Sequence, residues 1–275
     1  MQIHLNIRSA ALTTLLLSAF FTGCSSSDDK PKPAQPGTPA FNWAAAKTAF
    51  EKGDYVKANT LLMQLSQGKS EFAEQARPLA LMTSVSLATS YFELSEKYAE
   101  GAKRTRGQAA PFMRSTGLYK SQATASGMQF IEESRRFIDA NKDKEVILQL
   151  GAPKAEDEDP PQYKKITSGQ GIPESEVPGV EKMVIAGHLA KNMTAAGASA
   201  TGEAKVAGPK FLLALANGLL SVAEMYGPKK LLQPNRIIEA TLAEAAEALA
   251  LVKDSKEARE LEKKVAAAKK KLIIS

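Results

Sequence analysis

Residues 41–65 read FNWAAAKTAFEKGDYVKANTLLMQL, and their spacing decides the fold class. Trp43, Ala46 and Phe50 recur at intervals of three and four, which places them on one face of a helix with 3.6 residues per turn. Gly53 follows where the chain has to reverse, because glycine enters left-handed backbone conformations without a Cβ clash. Asp54 is suited to cap the next helix, its carboxylate accepting from a free amide of the first turn. Ala58, Leu61, Leu62 and Leu65 then form a second apolar stripe. The stretch predicts two antiparallel helices joined by a tight turn.

The same pattern extends outward. Residues 71–100 predict a long helix through Phe72, Leu79, Val85, Phe92 and Tyr98, with Pro78 as a site for a kink. Residues 110–140 predict another, through Phe112, Met128, Phe130 and Phe137. Residues 151–177 are rich in Pro, Gly and charge and read as a long loop between two helical halves, 41–150 and 178–275. In the second half, FLLALANGLLSVAEMY at 211–226 is apolar on most faces, short of a membrane span, and reads as a central core helix. Ile238, Leu242, Ala245 and Leu249 mark the next helix. Asp254 and Glu257 suggest a capping box before a last helix through Ala258, Leu261, Val265, Ala268 and Leu272. No β-branched alternation and no Asn-Gly or Asp-Gly hairpin turn is found. The expected fold is all-α, with helical hairpins and long helices forming a bundle or short solenoid.

The first hairpin resembles a tetratricopeptide repeat, a helix–turn–helix of about 34 residues. Ala46, Gly53, Tyr55 and Ala58 stand at matching positions, while Leu62 replaces a large aromatic and Leu65 an alanine. The usual tryptophan position holds Asn42, beside Trp43, and Ser70 replaces the closing proline. Asp254 and Ala258 reproduce the spacing of Asp54 and Ala58, which suggests a second degenerate repeat at the C-terminal end. The resemblance implies a surface that holds a peptide or partner protein.

Residues 1–24 read MQIHLNIRSAALTTLLLSAFFTGC. Arg8 is followed by an apolar run from Ala10 to Phe21, too short for a bilayer span but suited to the h-region of a secretory signal. Thr22 and Gly23 precede Cys24, and Phe21 stands where leucine is usual. This arrangement resembles the signal peptide (1–23) and lipobox of a bacterial lipoprotein. The resemblance implies cleavage before Cys24, lipidation of its thiol, and acylation of the new amine. Residues 24–40 continue as a lipidated cysteine and a Ser/Pro/Asp/Lys tether with extended character. Ser25 and Ser26, rather than Asp, follow the cysteine, and the family resemblance then implies the outer membrane, facing the periplasm.

Composition narrows the chemistry further. The 275 residues contain one cysteine and two histidines, which excludes an internal disulfide and any multi-cysteine zinc site. An aromatic content of 6% gives no base-stacking platform for nucleic acid. His4 falls within the signal segment, so His188 is the one histidine outside it, read as a helix residue at the core edge. The acidic run Glu156, Asp157, Glu158 and Asp159 lacks the ligand alternation of a calcium loop. GASATG at 197–202 has P-loop glycine spacing, but Glu203 stands where the lysine belongs. Gly169 and Gly171 begin a dinucleotide-type motif that Glu174 breaks. The net charge of +6 gathers at 103–106, 135–136 and 269–271 and is read as helix-surface charge.

No catalytic, cofactor-binding or metal-ligating residue is assigned, and Cys24 is the single site residue, as the lipid attachment point. The expected role is a non-enzymatic helical adaptor, held at the outer membrane by its lipid and binding a protein partner in envelope assembly or transport. The alternative is a ligand-binding subunit associated with a solute transporter. No nucleic-acid partner is expected.

Overall fold

The computed structural model describes residues 35–140, 144–154, 159–228, 230–252 and 255–273. Cys24, the signal segment, most of the tether and Glu156, Asp157 and Glu158 lie outside these residues. Among the described residues are nine α-helices: α1 (Pro39–Glu51), α2 (Tyr55–Gln67), α3 (Ala73–Arg104), α4 (Ala110–Ala140), α5 (Gln162–Thr167), α6 (Val177–Ala196), α7 (Gly208–Met225), α8 (Asn235–Ala250) and α9 (Lys256–Ile273). Two three-residue strands, β1 (Val146–Leu148) and β2 (Ala204–Val206), pair antiparallel with Val146 opposite Val206. The fold is all-α, a bundle of helical hairpins and long helices.

The first hairpin forms as its spacing dictates. Trp43, Ala46 and Phe50 of α1 and Ala58, Leu62 and Leu65 of α2 are buried, with α1 packed on α2 and α2 on α3. Gly53 makes the turn with φ of +77°, and the Asp54 carboxylate accepts from the Lys57 amide at 3.2 Å. Burying side chains of this size contributes about 1.5–3 kcal/mol each for the larger ones.

Two helices act as hubs. The predicted core helix, α7, packs against α3, α4, α6, α8 and α9. The second hub is α3, which touches α2, α4, α5, α6, α7 and β1. Its polar residues hide this role in the sequence, because Thr83, Ser84, Ser86, Ser90 and Ser95 are buried along with the apolar ones. Their hydroxyls are satisfied locally or across helices. Thr83 donates to the Leu79 carbonyl at 2.7 Å, Ser84 to Asn59 Oδ1 at 2.9 Å, and Ser90 to the Val184 carbonyl at 3.3 Å. Such small polar residues let helix axes approach closely without leaving unpaired groups. The helix runs on through Pro78, which sits in its second turn.

Residues 35–273 belong to one compact unit, and a continuous apolar core runs from Trp43 to Leu272. The segment 151–177 is shorter as a loop than its composition suggests. It contains α5 and a 3-10 turn at Glu174–Glu176, with Tyr163 and Ile166 buried against α3. GASATG at 197–202 ends α6 and leads into β2, with Gly197 left-handed at φ +97° as the helix cap. The two short strands leave no alternation long enough to read, since only Val146 and Leu148 point inward in β1. At α9 the cap is Ser255, whose hydroxyl accepts from the Ala258 amide at 3.0 Å; Asp254 lies outside the described residues. No described helix is long and apolar enough to cross a membrane.

Candidate functional site

Three helices and one turn converge on a cleft of about 340 Å³. The second half of α3 presents Thr89, Phe92, Glu93, Glu96 and Lys97 to it, residues spaced by three and four so that they share a face. From α6 comes His188, from α7 Ser221, Glu224 and Met225, and from the turn after α7 Lys230. The close approach of α3 and α6 that brings these groups together depends on small side chains. Ser90 is bonded to α6, and Asn192 of α6 donates to Ser86 Oγ at 2.9 Å.

His188 Nε2 lies 2.8 Å from Glu93 Oε2, both side chains partly exposed. This hydrogen bond is the largest influence on Glu93 and holds its carboxyl below the usual glutamate range, against an opposing contribution from burial. The Tyr163 hydroxyl is buried beside the same carboxylate without good hydrogen-bond geometry to any described partner. Burial, then the Glu93 charge, pushes the Tyr163 phenol far above its normal value, so it stays protonated. Lys97 Nζ sits 4.8 Å from the centre of the Tyr163 ring, and Lys230 Nζ sits 5.4 Å from that of Phe92. Cations over aromatic faces gain about 0.5–1 kcal/mol when exposed and more when desolvated.

His188 thus takes the place read for it, a helix residue at the core edge with a hydrogen-bond partner. The hydroxyls near it are turned away. Ser221 donates to the Asn217 carbonyl of its own helix at 2.9 Å, and Thr89 to the Val85 carbonyl at 2.9 Å. The arrangement places Glu93, Glu96, Lys97, His188, Glu224 and Lys230 around one open volume.

A second polar group lies along the other side of α3. Tyr91, Tyr98 and Tyr119 are buried together, Tyr91 stacked on Tyr119 with centroids 6.1 Å apart and Tyr98 tilted against Tyr119 at 5.5 Å. Tyr119 donates to Glu181 Oε1 at 2.8 Å. Burial and the Glu181 charge together push the Tyr91 phenol up to about 12. These tyrosines join α3, α4 and α6.

The basic clusters are partly neutralised. Arg104 pairs with Glu100 at 2.6 Å, Arg135 with Glu244 at 3.1 Å, and Arg136 with Glu132. Among the described residues no group of three or more His, Cys, Asp or Glu is placed to hold a metal ion. Cys24 lies outside the described residues.

The chain matches no known family model, no curated protein and no solved structure. Its site therefore rests on its own geometry. Glu93, Lys97, Tyr163 and Lys230 carry no sequence signal: each is a charged or aromatic residue at ordinary helix or loop spacing. Only the fold brings Glu93 and His188, 95 positions apart, into contact.

Proposed function

We propose that this protein is a non-enzymatic helical scaffold, anchored at the periplasmic face of the outer membrane through lipid on Cys24, that binds a protein partner. The observation that carries the reading is the solvent side of α4. This 31-residue helix is covered by α3, with smaller contacts from α7 and α8, and leaves Met113, Leu118 and Met128 exposed at 65%, 57% and 42%. At 100° per residue these three fall within an arc of about 140°. Large apolar side chains set along one side of a rigid helix, over about 22 Å of its length, suit docking of another protein. The lipobox pattern and the tether supply the anchoring half of the reading.

A photo-crosslinking residue placed at Leu118 in living cells tests the scaffold. A discrete adduct is expected there and not at exposed Lys264 on α9. Leu118→Glu with Met113→Glu should abolish co-purification of the adducted protein, and unchanged co-purification would overturn the reading. For the anchor, Cys24→Ser should move the protein to the soluble fraction or leave it as an uncut precursor. Membrane fractionation of the fully processed variant would refute it.

The cleft at Glu93 and His188 favours a second reading, a ligand-binding subunit associated with a solute transporter. A scaffold alone has no use for half-buried lysines held over an open volume. The two readings use different faces and are compatible.

A further inference from the structure

The cleft beside Phe92 continues past Lys230. A second, more enclosed cavity of about 460 Å³ adjoins it, and Glu224 and Lys230 are walls of both. Its other described walls are Gly227, Pro228, Ala268, Lys271 and Leu272, from the turn after α7 and the last turns of α9. The joined groove is therefore charged at one end and mainly apolar at the other. Both volumes fall in the size range of small-molecule sites.

Charge placement selects the ligand. Lys97 and Lys230 are half-buried on aromatic faces, and neither has a carboxylate oxygen within 4 Å among the described residues. Of the three carboxylates lining the cleft, Glu93 is engaged by His188, while Glu96 and Glu224 are exposed at its rim. Lys97 and Lys230 thus offer unused donors to the cleft, while Glu96 and Glu224, which also line it, are exposed and keep their hydration. The turn that carries Lys230 also holds Leu232 at φ of +54°, left-handed backbone that leucine adopts at a cost, with its side chain 70% exposed and unrewarded by packing.

We infer that the groove binds a single-chain anionic amphiphile. Its carboxylate or phosphate head lies between Lys97 and Lys230, and its hydrocarbon tail runs along Gly227, Pro228, Ala268 and Leu272. This inference rests on the ligand-binding reading and names its ligand class. Each methylene fully buried tightens binding about fourfold.

The test is calorimetric titration of the Cys24→Ser protein recovered from the soluble fraction, which carries no lipid and needs no detergent, with laurate, octanoate, dodecyl phosphate, dodecylamine and inorganic phosphate below any micelle concentration. Laurate or dodecyl phosphate should bind, and the stronger of the two identifies the head group. Octanoate should bind at least tenfold more weakly than laurate, and inorganic phosphate should not bind. Lys97→Gln with Lys230→Gln should weaken the anionic amphiphile at least tenfold while lowering Tm by only a few degrees, and Ala268→Phe should block the tail. Unchanged affinity in the lysine double variant would overturn the inference, as would inorganic phosphate binding as well as laurate. Dodecylamine binding in place of laurate would overturn the anionic class while leaving the ligand-binding reading intact. No binding by any compound, with no small molecule retained by protein purified from envelopes, would overturn both.

Discussion

Arg77→Ala probes how the first hairpin is held to the bundle. Arg77 lies on α3 with its side chain only 14% exposed. Its Nε donates to Glu133 Oε1 of α4 at 2.8 Å, and its Nη2 donates to the Ser66 carbonyl at the end of α2 at 2.9 Å. A third contact, to Glu74 at 3.3 Å, is at the surface and contributes little. Glu133 is fully buried, and its other oxygen has only Arg136 Nη1 at 3.4 Å. Removing the guanidinium leaves a buried carboxylate with one long contact and a helix-terminal carbonyl with none from Arg77.

Breaking a buried ion pair by deleting one partner costs about 3–5 kcal/mol, and an orphaned buried acceptor about 1–3 kcal/mol. Arg136 can move toward Glu133 and offset part of this, so about 4 kcal/mol is expected for Arg77→Ala. That is a large share of the roughly 5–15 kcal/mol that holds a domain together. With a urea slope of about 3 kcal/mol/M for a chain of this size, the midpoint should fall by about 1 M or more. Circular dichroism during urea titration reads it directly. Arg136→Ala should cost under about 1 kcal/mol, because Glu133 keeps its short bond to Arg77. Arg77→Met with Glu133→Leu should recover most of the loss, since the charge leaves together with its partner. A midpoint shift below about 0.3 M for Arg77→Ala, or a double variant no better than the single, would refute the reasoning.

At Gly101 of α3, an added Cβ would lie 2.2 Å from the Ile166 carbonyl oxygen and 2.7 Å from Phe112 Cε1. Gly101→Ala should therefore push α5 off α3, lower stability by about 1–3 kcal/mol and speed amide exchange across 162–170; exchange unchanged there would contradict this contact. Burial is the largest influence on Glu244 and raises its pKa, with Arg135 opposing. A carboxyl raised in the folded state adds stability below its unfolded pKa, near 4, and loses it as pH rises through the folded value. Glu244→Gln should then be at least as stable as the parent at pH 7, the difference closing toward pH 4; a loss confined to neutral pH would show that the Arg135 pair outweighs burial.

Much of the helix content could be read directly. The three-and-four spacing of Trp43, Ala46 and Phe50, the turn at Gly53 and the Asp54 cap are all local features, and the structure forms them where the sequence places them. α4 spans the residues expected, 110–140. The hub role of α3 was hidden because buried serines look polar in a sequence, and only their partners, Asn59 and Val184 among them, show that they are satisfied inside. α5 was hidden by the prolines and charges around it, since its anchors Tyr163 and Ile166 are buried by α3 from outside the segment.

The sequence by itself determined the long helices, the Asp54 cap and the turn between the first two helices, because an apolar stripe and a capping residue act over one or two turns of chain. The tertiary structure alone decided the cleft. Glu93, Lys97, Tyr163, His188 and Lys230 come from α3, α5, α6 and the turn after α7, and no local periodicity relates them. They meet because small residues let α3 and α6 approach, so that charges far apart in the chain share one partly desolvated volume.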